Sequence, residues 1–215
     1  MRYTTVVFDL DGTLLDTSKG ILNSVRDTIA FYGLPSLNDR DLLVFMGCSI
    51  YESFQRFYPE QDADNLVAYF RKMYAERHFE EAGEYDGISE LLMQLKNAGI
   101  KIGIATFKRD DLAKRLLSKY SFYRYIDVIN GSDNEGCLRK PDIINKSIRA
   151  LHPDKIEDVV VIGDANNDFI AAREVGVDFI GITYGYGFSE SDSLLLPFQS
   201  VSNPNDLLNI LNSKK

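Results

Sequence analysis

Short apolar runs alternate with longer stretches of helical spacing along most of this chain. Five runs have the length and composition of strands that are buried on both faces of a parallel sheet. They are Thr4–Phe8, Lys101–Thr106, Tyr125–Asn130, Asp158–Ile162 and Phe179–Thr183. Apolar residues at helical spacing lie between most of these runs, as in Ile88–Lys96. Strands and helices in alternation predict an α/β fold, in which a parallel sheet carries helices on both faces.

One long interval departs from this alternation, because it contains helical patterns and no strand pattern. The three amphipathic stretches are Ser18–Phe31, Leu42–Phe57 and Asp62–Phe79. They predict a helical domain, residues 18–81, inserted after the first strand of a core domain that comprises residues 1–17 and 82–215. Because the insert leaves the core just beyond a strand end, we expect it to act as a lid over a site there.

The overall composition and charge disfavour some classes of binding partner. The chain is 45% hydrophobic and 26% charged, as globular proteins are. Its formal net charge of -8 leaves no basic excess for binding nucleic acid or an anionic membrane. Cys48 and Cys137 lack the spacing of a zinc site or a disulfide framework. Since no apolar run has membrane-spanning length and no signal-peptide pattern occurs, we expect a cytoplasmic location. No pattern indicates an oligomeric state.

Polar side chains follow the predicted strands at the ends where ligands bind in open α/β sheets. They are Asp9, Asp11, Thr106, Lys140, Asp164 and Asp168. Carboxylates this close repel one another unless a cation or a proton lies between them, and Lys140 is the one cation that we expect beside them. Carboxylate oxygens without histidine or cysteine suit Mg²⁺, and a lysine suits phosphate. The pattern predicts phosphoryl transfer, in which one aspartate attacks phosphorus and another moves a proton.

The segment Phe8–Leu14 (FDLDGTL) resembles the first motif of the haloacid dehalogenase-like superfamily of phosphohydrolases. The residues after the other strands are similar to its second, third and fourth motifs, so that the resemblance covers nearly the whole chain. The helical insert resembles the C1-type cap of this superfamily. Three further segments resemble the phosphoglycolate phosphatase-type subgroup: Tyr85–Ile88, Gly131–Ser132 and Thr183–Gly187.

The resemblance implies a Rossmann-like core and a role for each matching position. Asp9 would be the nucleophile, and Asp11 would protonate the leaving oxygen and then activate water. Thr106 and Lys140 would hold the phosphoryl group. The Mg²⁺ ligands would be Asp9, Asp11 (through its backbone carbonyl) and Asp164, with Asp168 in support. The chain departs from the family pattern at Phe107, where a small polar residue is usual, and at Asn166–Asn167.

The expected function is therefore that of a Mg²⁺-dependent phosphatase that acts on a small phosphorylated metabolite through an aspartyl-phosphate intermediate. Phosphoglycolate ranks first as substrate, a nucleoside monophosphate second and pyrophosphate third. A sugar phosphomutase, similar to β-phosphoglucomutase, and a 5′-nucleotidase or pyrophosphatase are alternatives on the same scaffold. A receiver-like phosphoacceptor domain without catalytic activity is an alternative of a different class.

Residues of the helical insert are the candidates for substrate recognition. The small, uncharged loop Gly47, Cys48 and Ser49 would contact the substrate, with Phe45 and Tyr51 as aromatic neighbours. This loop contains no arginine, which disfavours the phosphomutase alternative.

Overall fold

The computed structural model describes residues 2–47, 49–133, 138–189 and 197–212. The chain divides into two units, which we call the sheet unit (Met1–Asp16 and Glu84–Lys215) and the helical unit (Thr17–Gly83). Two short strands, β2 (Leu15–Asp16) and β3 (Gly83–Glu84), lie in sequence where the chain passes from one unit to the other.

Six strands of the described chain form one sheet in the sheet unit, and all of their pairings are parallel. They are β1 (Thr5–Phe8), β4 (Lys101–Arg109), β5 (Val128–Ser132), β6 (Val159–Gly163), β7 (Asp178–Ile182) and β8 (Gln199–Val201). The α/β fold with a Rossmann-like parallel sheet is confirmed. The strand β8 was not predicted, because its three residues are too few to form a clear apolar run.

Helices cover the sheet, because its central strands are too apolar to be exposed on either face. All residues of β1 and β6 are buried. On one face, Val7 and Val161 pack in a common cluster with side chains of two helices. The helices of this unit are α6 (Ile88–Asn97), α7 (Asp110–Leu117), α8 (Lys140–Leu151), α9 (Asn166–Val175) and α10 (Pro204–Asn212), with short 3-10 turns at Ser121–Tyr125 and Ile156–Asp158.

The strand order β5-β4-β1-β6-β7-β8 reverses beside β1. From β1 the chain moves outward through β4 to β5, and it then returns to β6 on the other side of β1. Such a reversal opens a crevice beyond the carboxyl ends of the strands, and ligands of open α/β sheets bind there. The sequence places its polar motifs at the ends of β1, β4 and β6.

The helical unit has its own apolar core, which includes Val25, Phe54 and Phe70. Its helices are α1 (Ser18–Phe31), α2 (Asp39–Leu42), α3 (Val44–Gly47), α4 (Ile50–Phe57) and α5 (Ala63–Met73), followed by a π-helical turn at Tyr74–His78. The single helix predicted over Leu42–Phe57 is wrong. A separate helix, α4, begins at Ile50, because Ser49 caps it by accepting a hydrogen bond from the Glu52 N–H at 3.1 Å.

Among the described residues, no helix is both long enough and apolar enough to cross a membrane.

Candidate active site

The sheet unit collects the predicted site residues at one edge of the sheet. Asp9 follows β1, Thr106 lies in β4, and Asp164 follows β6. Lys140 begins α8, and Asp168 lies in the first turn of α9. All five side chains are buried, although four of them carry or can carry a charge. Buried charges are stable only when they are paired or hydrogen-bonded, so the partners of these groups matter.

Lys140 links two of the carboxylates. Its Nζ lies 2.6 Å from Asp9 Oδ1 and 2.7 Å from Asp168 Oδ1. Burial lowers the pKa of the Lys140 ammonium, but the carboxylates of Asp168 and Asp9 outweigh burial and raise that pKa above its ordinary value. Lys140 is therefore a permanent cation beside the first aspartate of the DLD motif.

Asp9 is costly to ionise in this position. Burial raises the pKa of its carboxyl group, the Lys140 ammonium lowers it, and the carboxylates of Asp168, Asp164 and Asp11 raise it further. The net direction is upward, because burial and the three carboxylates together outweigh the Lys140 ammonium. A further cation beside Asp9 would favour its carboxylate form.

Asp164 is held by the loop that follows β7. Its Oδ2 accepts hydrogen bonds from the N–H groups of Tyr186 at 2.7 Å and Gly187 at 3.3 Å. Burial and the Asp168 carboxylate raise the pKa of Asp164 to about 6, although these two amides and Lys140 lower it. The segment Thr183–Gly187, which contributes both amides, therefore has a defined role in orienting the carboxylate.

Gly12 explains why glycine follows the second aspartate of the DLD motif. Its φ is +81°, and a Cβ at this position would overlap the carboxylate of Asp164. Only glycine combines a left-handed backbone with so close an approach. The turn after β1 thus lies directly against the aspartate that follows β6.

Three carboxylates could hold a cation together. Within the described part of the chain, Asp9, Asp164 and Asp168 form a group whose ligand oxygens lie within 4.8 Å of one another. The oxygens of Asp168 already contact Lys140 at 2.7 Å and the Ala165 N–H at 3.2 Å. Asp9 and Asp164 are therefore the better candidates for direct ligands, and an all-oxygen set suits a hard divalent ion.

Asp11 stands apart from this group and has different partners. Its Oδ1 lies 2.8 Å from Lys108 Nζ, and its Oδ2 lies 3.5 Å from Thr106 Oγ1. The Asp11 side chain is 22% exposed, whereas that of Asp9 is 11% exposed. The two aspartates of the DLD motif thus lie in distinct environments, one in the buried carboxylate cluster and one nearer to solvent.

Lys108 is a site residue that sequence reasoning missed, and the expectation that Lys140 is the one cation beside the carboxylates was wrong. The signal was a lysine two residues after Thr106, at the end of the same strand. Its side chain is only 6% exposed, which is unusual for lysine and could not be read from periodicity.

A bulge in β4 accounts for the position of this lysine. Ala105 pairs with Asn130 and Arg109 pairs with Ser132, so residues 106–108 lie opposite Gly131 alone. A Cβ at Gly131 would overlap the Lys108 carbonyl oxygen, so glycine makes the close packing of this bulge possible. Bulges commonly redirect side chains beside active sites.

The residues at which the chain departs from the family pattern, Phe107 and Asn166–Asn167, are exposed to solvent. Phe107 is 48% exposed, and its ring centroid lies 5.3 Å from Lys140 Nζ. It adds an aromatic surface next to the buried lysine. Asn166 and Asn167 are exposed in the first turn of α9.

The predicted substrate loop belongs to the helical unit. Gly47 ends α3 and Ser49 caps α4, whereas Cys48 lies outside the described residues. The aromatic lining expected there loses one member, because Phe45 is 2% exposed within the core of that unit. Tyr51 is 42% exposed. The contact of this loop with a substrate stays a prediction.

Comparison with known proteins adds to this geometry. A family model described as "Haloacid dehalogenase-like hydrolase" matches residues 6–182. A phosphoglycolate phosphatase of Agrobacterium fabrum is 35% identical over 189 residues, which cover 84% of this chain and 80% of the relative. The pyrophosphatase PpaX of Bacillus velezensis is 29% identical over 214 residues, which cover 99% and 98% of the two chains.

Another relative is longer than this chain. The tyrosine-protein kinase PtkA of Mycobacterium tuberculosis is 30% identical over 184 residues, which are 85% of this chain but only 62% of the relative. Among solved structures, a haloacid dehalogenase-like family hydrolase from Streptococcus pneumoniae has a TM-score of 0.89 and 29% sequence identity, with 98% of this chain and 99% of that chain covered.

Proposed function

Since the chain belongs to the haloacid dehalogenase-like hydrolases, we propose that it is a Mg²⁺-dependent phosphatase of a small phosphorylated metabolite. The observation that carries this proposal is the division between its two neighbouring aspartates. Asp9 lies in a buried group with Lys140 and further carboxylates, and Asp11 lies apart, beside Lys108 and Thr106. Hydrolysis through a phosphoaspartate needs two such carboxylates in different roles.

In the first half of the reaction, a carboxylate oxygen of Asp9 attacks phosphorus. The bond between phosphorus and the leaving oxygen breaks, and Asp11 gives its proton to that oxygen. In the second half, water attacks phosphorus and gives a proton to Asp11, while the bond from Asp9 to phosphorus breaks and releases inorganic phosphate. The more exposed position of Asp11 supports its role as the group that meets the leaving oxygen and the water.

Lys140 and Thr106 would hold the transferred phosphoryl group. The Lys140 ammonium lies 2.6 Å from the nucleophile and keeps its charge, so it can stabilise negative charge on phosphoryl oxygens next to Asp9. The Thr106 hydroxyl lies at the bulge of β4, 3.5 Å from Asp11 Oδ2. Asp168 would position Lys140 through their 2.7 Å contact.

The donor set fits Mg²⁺. Asp9, Asp164 and the backbone carbonyl of Asp11 would be the ligands of the ion. Asp168 would support the site through its contact with Lys140. When bound, the ion supplies positive charge that neutralises the carboxylates and polarises the phosphoryl group. The upward pKa shifts of Asp9 and Asp164 support this assignment, because burial and neighbouring carboxylates disfavour both charges and a bound cation would offset that cost.

We rank phosphoglycolate first among the substrates, as the resemblance to phosphoglycolate phosphatases suggests, and a nucleoside monophosphate second. The exposed ring of Phe107 supports the second choice, because a base could stack on it. Pyrophosphate is third, although the relative PpaX is named a pyrophosphatase and matches over almost its whole length. A sugar phosphomutase is a lower-ranked alternative on the same scaffold. A receiver-like phosphoacceptor domain is the alternative of a different class, and it would be distinguished by the absence of turnover with any phosphomonoester.

The test is a panel of phosphorylated metabolites, assayed with Mg²⁺ and with a chelator, together with trapping of the phosphoenzyme. We expect release of inorganic phosphate from one small monoester, no turnover or labelling with Asp9→Asn, and a loss on the order of 10² or more with Asp11→Asn. Asp127→Asn, which changes a partly exposed carboxylate paired with Lys96 and given no role in the proposed site, is the matched control. Full activity of Asp9→Asn would refute the covalent mechanism.

A further inference from the structure

We propose that Lys108 is a positioning residue for Asp11, which it holds in the orientation needed to meet the leaving oxygen. This inference rests on the proposed function, since it concerns the proton transfer of that reaction. Its basis is the short contact between Lys108 Nζ and Asp11 Oδ1, made by a lysine whose side chain is almost fully buried.

The backbone of Lys108 is held by contacts of its own, which do not involve the side chain that contacts Asp11. The Lys108 N–H donates to Thr106 Oγ1 at 3.1 Å, and the bulge that contains it packs against Gly131. The N–H of Gly131 donates to Asp110 Oδ1 at 2.9 Å, which anchors the same segment from the start of α7. The bulge is therefore a rigid base from which the lysine extends.

Each oxygen of Asp11 then has a partner from β4. Lys108 contacts Oδ1, and Thr106 contacts Oδ2. A carboxylate with a separate contact on each oxygen cannot rotate freely, and loss of Lys108 would remove the shorter of these two contacts, the one at 2.8 Å. Misplacement of a reacting group by about 1 Å can cost about 10²-fold in rate.

Two other roles for Lys108 would give different kinetics. If Lys108 bound the phosphoryl group, its loss would raise KM for every substrate and weaken inhibition by inorganic phosphate. If it only stabilised the fold, its loss would lower the amount of active protein equally for all substrates. Positioning of Asp11 acts on the step in which the leaving oxygen takes a proton, so its loss must depend on how much the leaving group needs that proton.

The experiment compares Lys108→Met with the wild type on two phosphomonoesters. One has a good leaving group, 4-nitrophenyl phosphate, and the other is an alkyl phosphate that the wild type hydrolyses. The comparison uses kcat/KM, which covers the steps up to the phosphoenzyme and leaves out its hydrolysis, in which Asp11 acts alike for every substrate. We expect kcat/KM for the alkyl phosphate to fall on the order of 10²-fold and kcat/KM for 4-nitrophenyl phosphate to fall less than about tenfold. Lys108→Arg, which keeps a cation, should recover part of the loss.

Lys96→Met is the matched control, because Lys96 is also paired with an aspartate, Asp127, but on the surface of the sheet unit. It should behave as the wild type with both substrates. An equal loss of kcat/KM on both substrates, or no loss on either, would overturn the positioning role while leaving the proposed phosphatase intact. If Lys108→Met does not fold, the same comparison is made with Lys108→Arg, and equal losses on both substrates would again overturn the proposal. A wild type inactive on every monoester would instead refute the proposed function.

Discussion

Lys140 Nζ and Asp168 Oδ1 lie 2.7 Å apart and join the first turns of two helices, α8 and α9. Both side chains are buried, and the same ammonium also contacts Asp9. One side chain therefore connects Asp9, the proposed nucleophile, to the helix that follows Asp164. Stability and activity should both depend on this lysine.

The substitution Lys140→Met should abolish turnover and lower the free energy of unfolding by about 3–5 kcal/mol, because it leaves two buried carboxylates without their cation. Urea unfolding and a phosphatase assay measure the two effects. The control Lys96→Met removes a partly exposed ion pair and should cost less than about 1 kcal/mol. Equal stability changes in the two variants would show that the Lys140 pair is not buried as described.

Added Mg²⁺ should stabilise the protein, because the ion relieves repulsion among Asp9, Asp164 and Asp168 only in the folded state. At about 100 times its dissociation constant, the free energy of unfolding should rise by about 2.7 kcal/mol. Thermal unfolding with Mg²⁺ and with a chelator measures this. Asp164→Asn should remove most of the response and Asp127→Asn should keep it. A wild type that does not respond, or that responds to Zn²⁺ alone, would contradict the proposed magnesium site.

The substitution Gly12→Ala should disturb the proposed metal site as well as the backbone. The new Cβ would strain a backbone at φ +81° and also displace the carboxylate of Asp164. Gly99→Ala is a close control, since its φ is +79° and nothing lies within 4 Å of its added Cβ. We expect about 1 kcal/mol of destabilisation in Gly99→Ala and more in Gly12→Ala, with a loss of Mg²⁺ response and activity in Gly12→Ala alone. An active Gly12→Ala protein would argue against tight packing of this turn on Asp164.

The helical unit should become less stable as pH rises through the range in which His78 titrates. His78 Nε2 lies 3.0 Å from Asp27 Oδ2, and its Nδ1 lies 2.9 Å from Glu81 Oε1. Burial lowers the pKa of His78, but the hydrogen bonds to Glu81 and Asp27 prevail and raise it above its ordinary value of 6.5. A raised folded-state pKa stabilises the protein fully below about pH 6.5, and this contribution is lost as pH rises through the higher pKa.

The measurement is urea unfolding between about pH 5 and pH 8, a range that spans the ordinary titration of histidine. The wild type should lose stability toward the upper end, and His78→Gln should lose this part of the pH dependence. His152→Asn, at the exposed C-terminal end of α8, should retain it. A His78→Gln profile parallel to the wild type would exclude the histidine as its source.

Much of the sheet could be predicted from the sequence, because its strands are short apolar runs that are covered on both faces. The run Val159–Val161 is typical of this. The break between α3 and α4 was missed, since the apolar spacing continues across Gly47 and Ser49. Only the capping preference of Ser49 indicated that a helix begins after it.

The candidate site also has a part that could be predicted from the sequence and a part that could not. The carboxyl ends of parallel strands meet at one edge, so local motifs were enough to bring Asp9 near Asp164. Lys108 could not be found by this reasoning, because its burial results from a pairing irregularity between β4 and β5 opposite Gly131. That irregularity belongs to two strands together and has no signature in either sequence alone.

The central position of β1 has a consequence for how the chain folds. Thr5 pairs with Lys101 on one side and with Val159 on the other, so both neighbours of the central strand lie far away along the chain. Such non-local pairing slows folding, because a large loop must close before either contact forms. The helical unit, whose core forms within one continuous segment, has no such barrier. During synthesis on a ribosome, both edges of β1 would stay unpaired until β4 and then β6 emerged. In this period the unpaired edges of β1 could pair with other chains, so the nascent protein would be prone to aggregation.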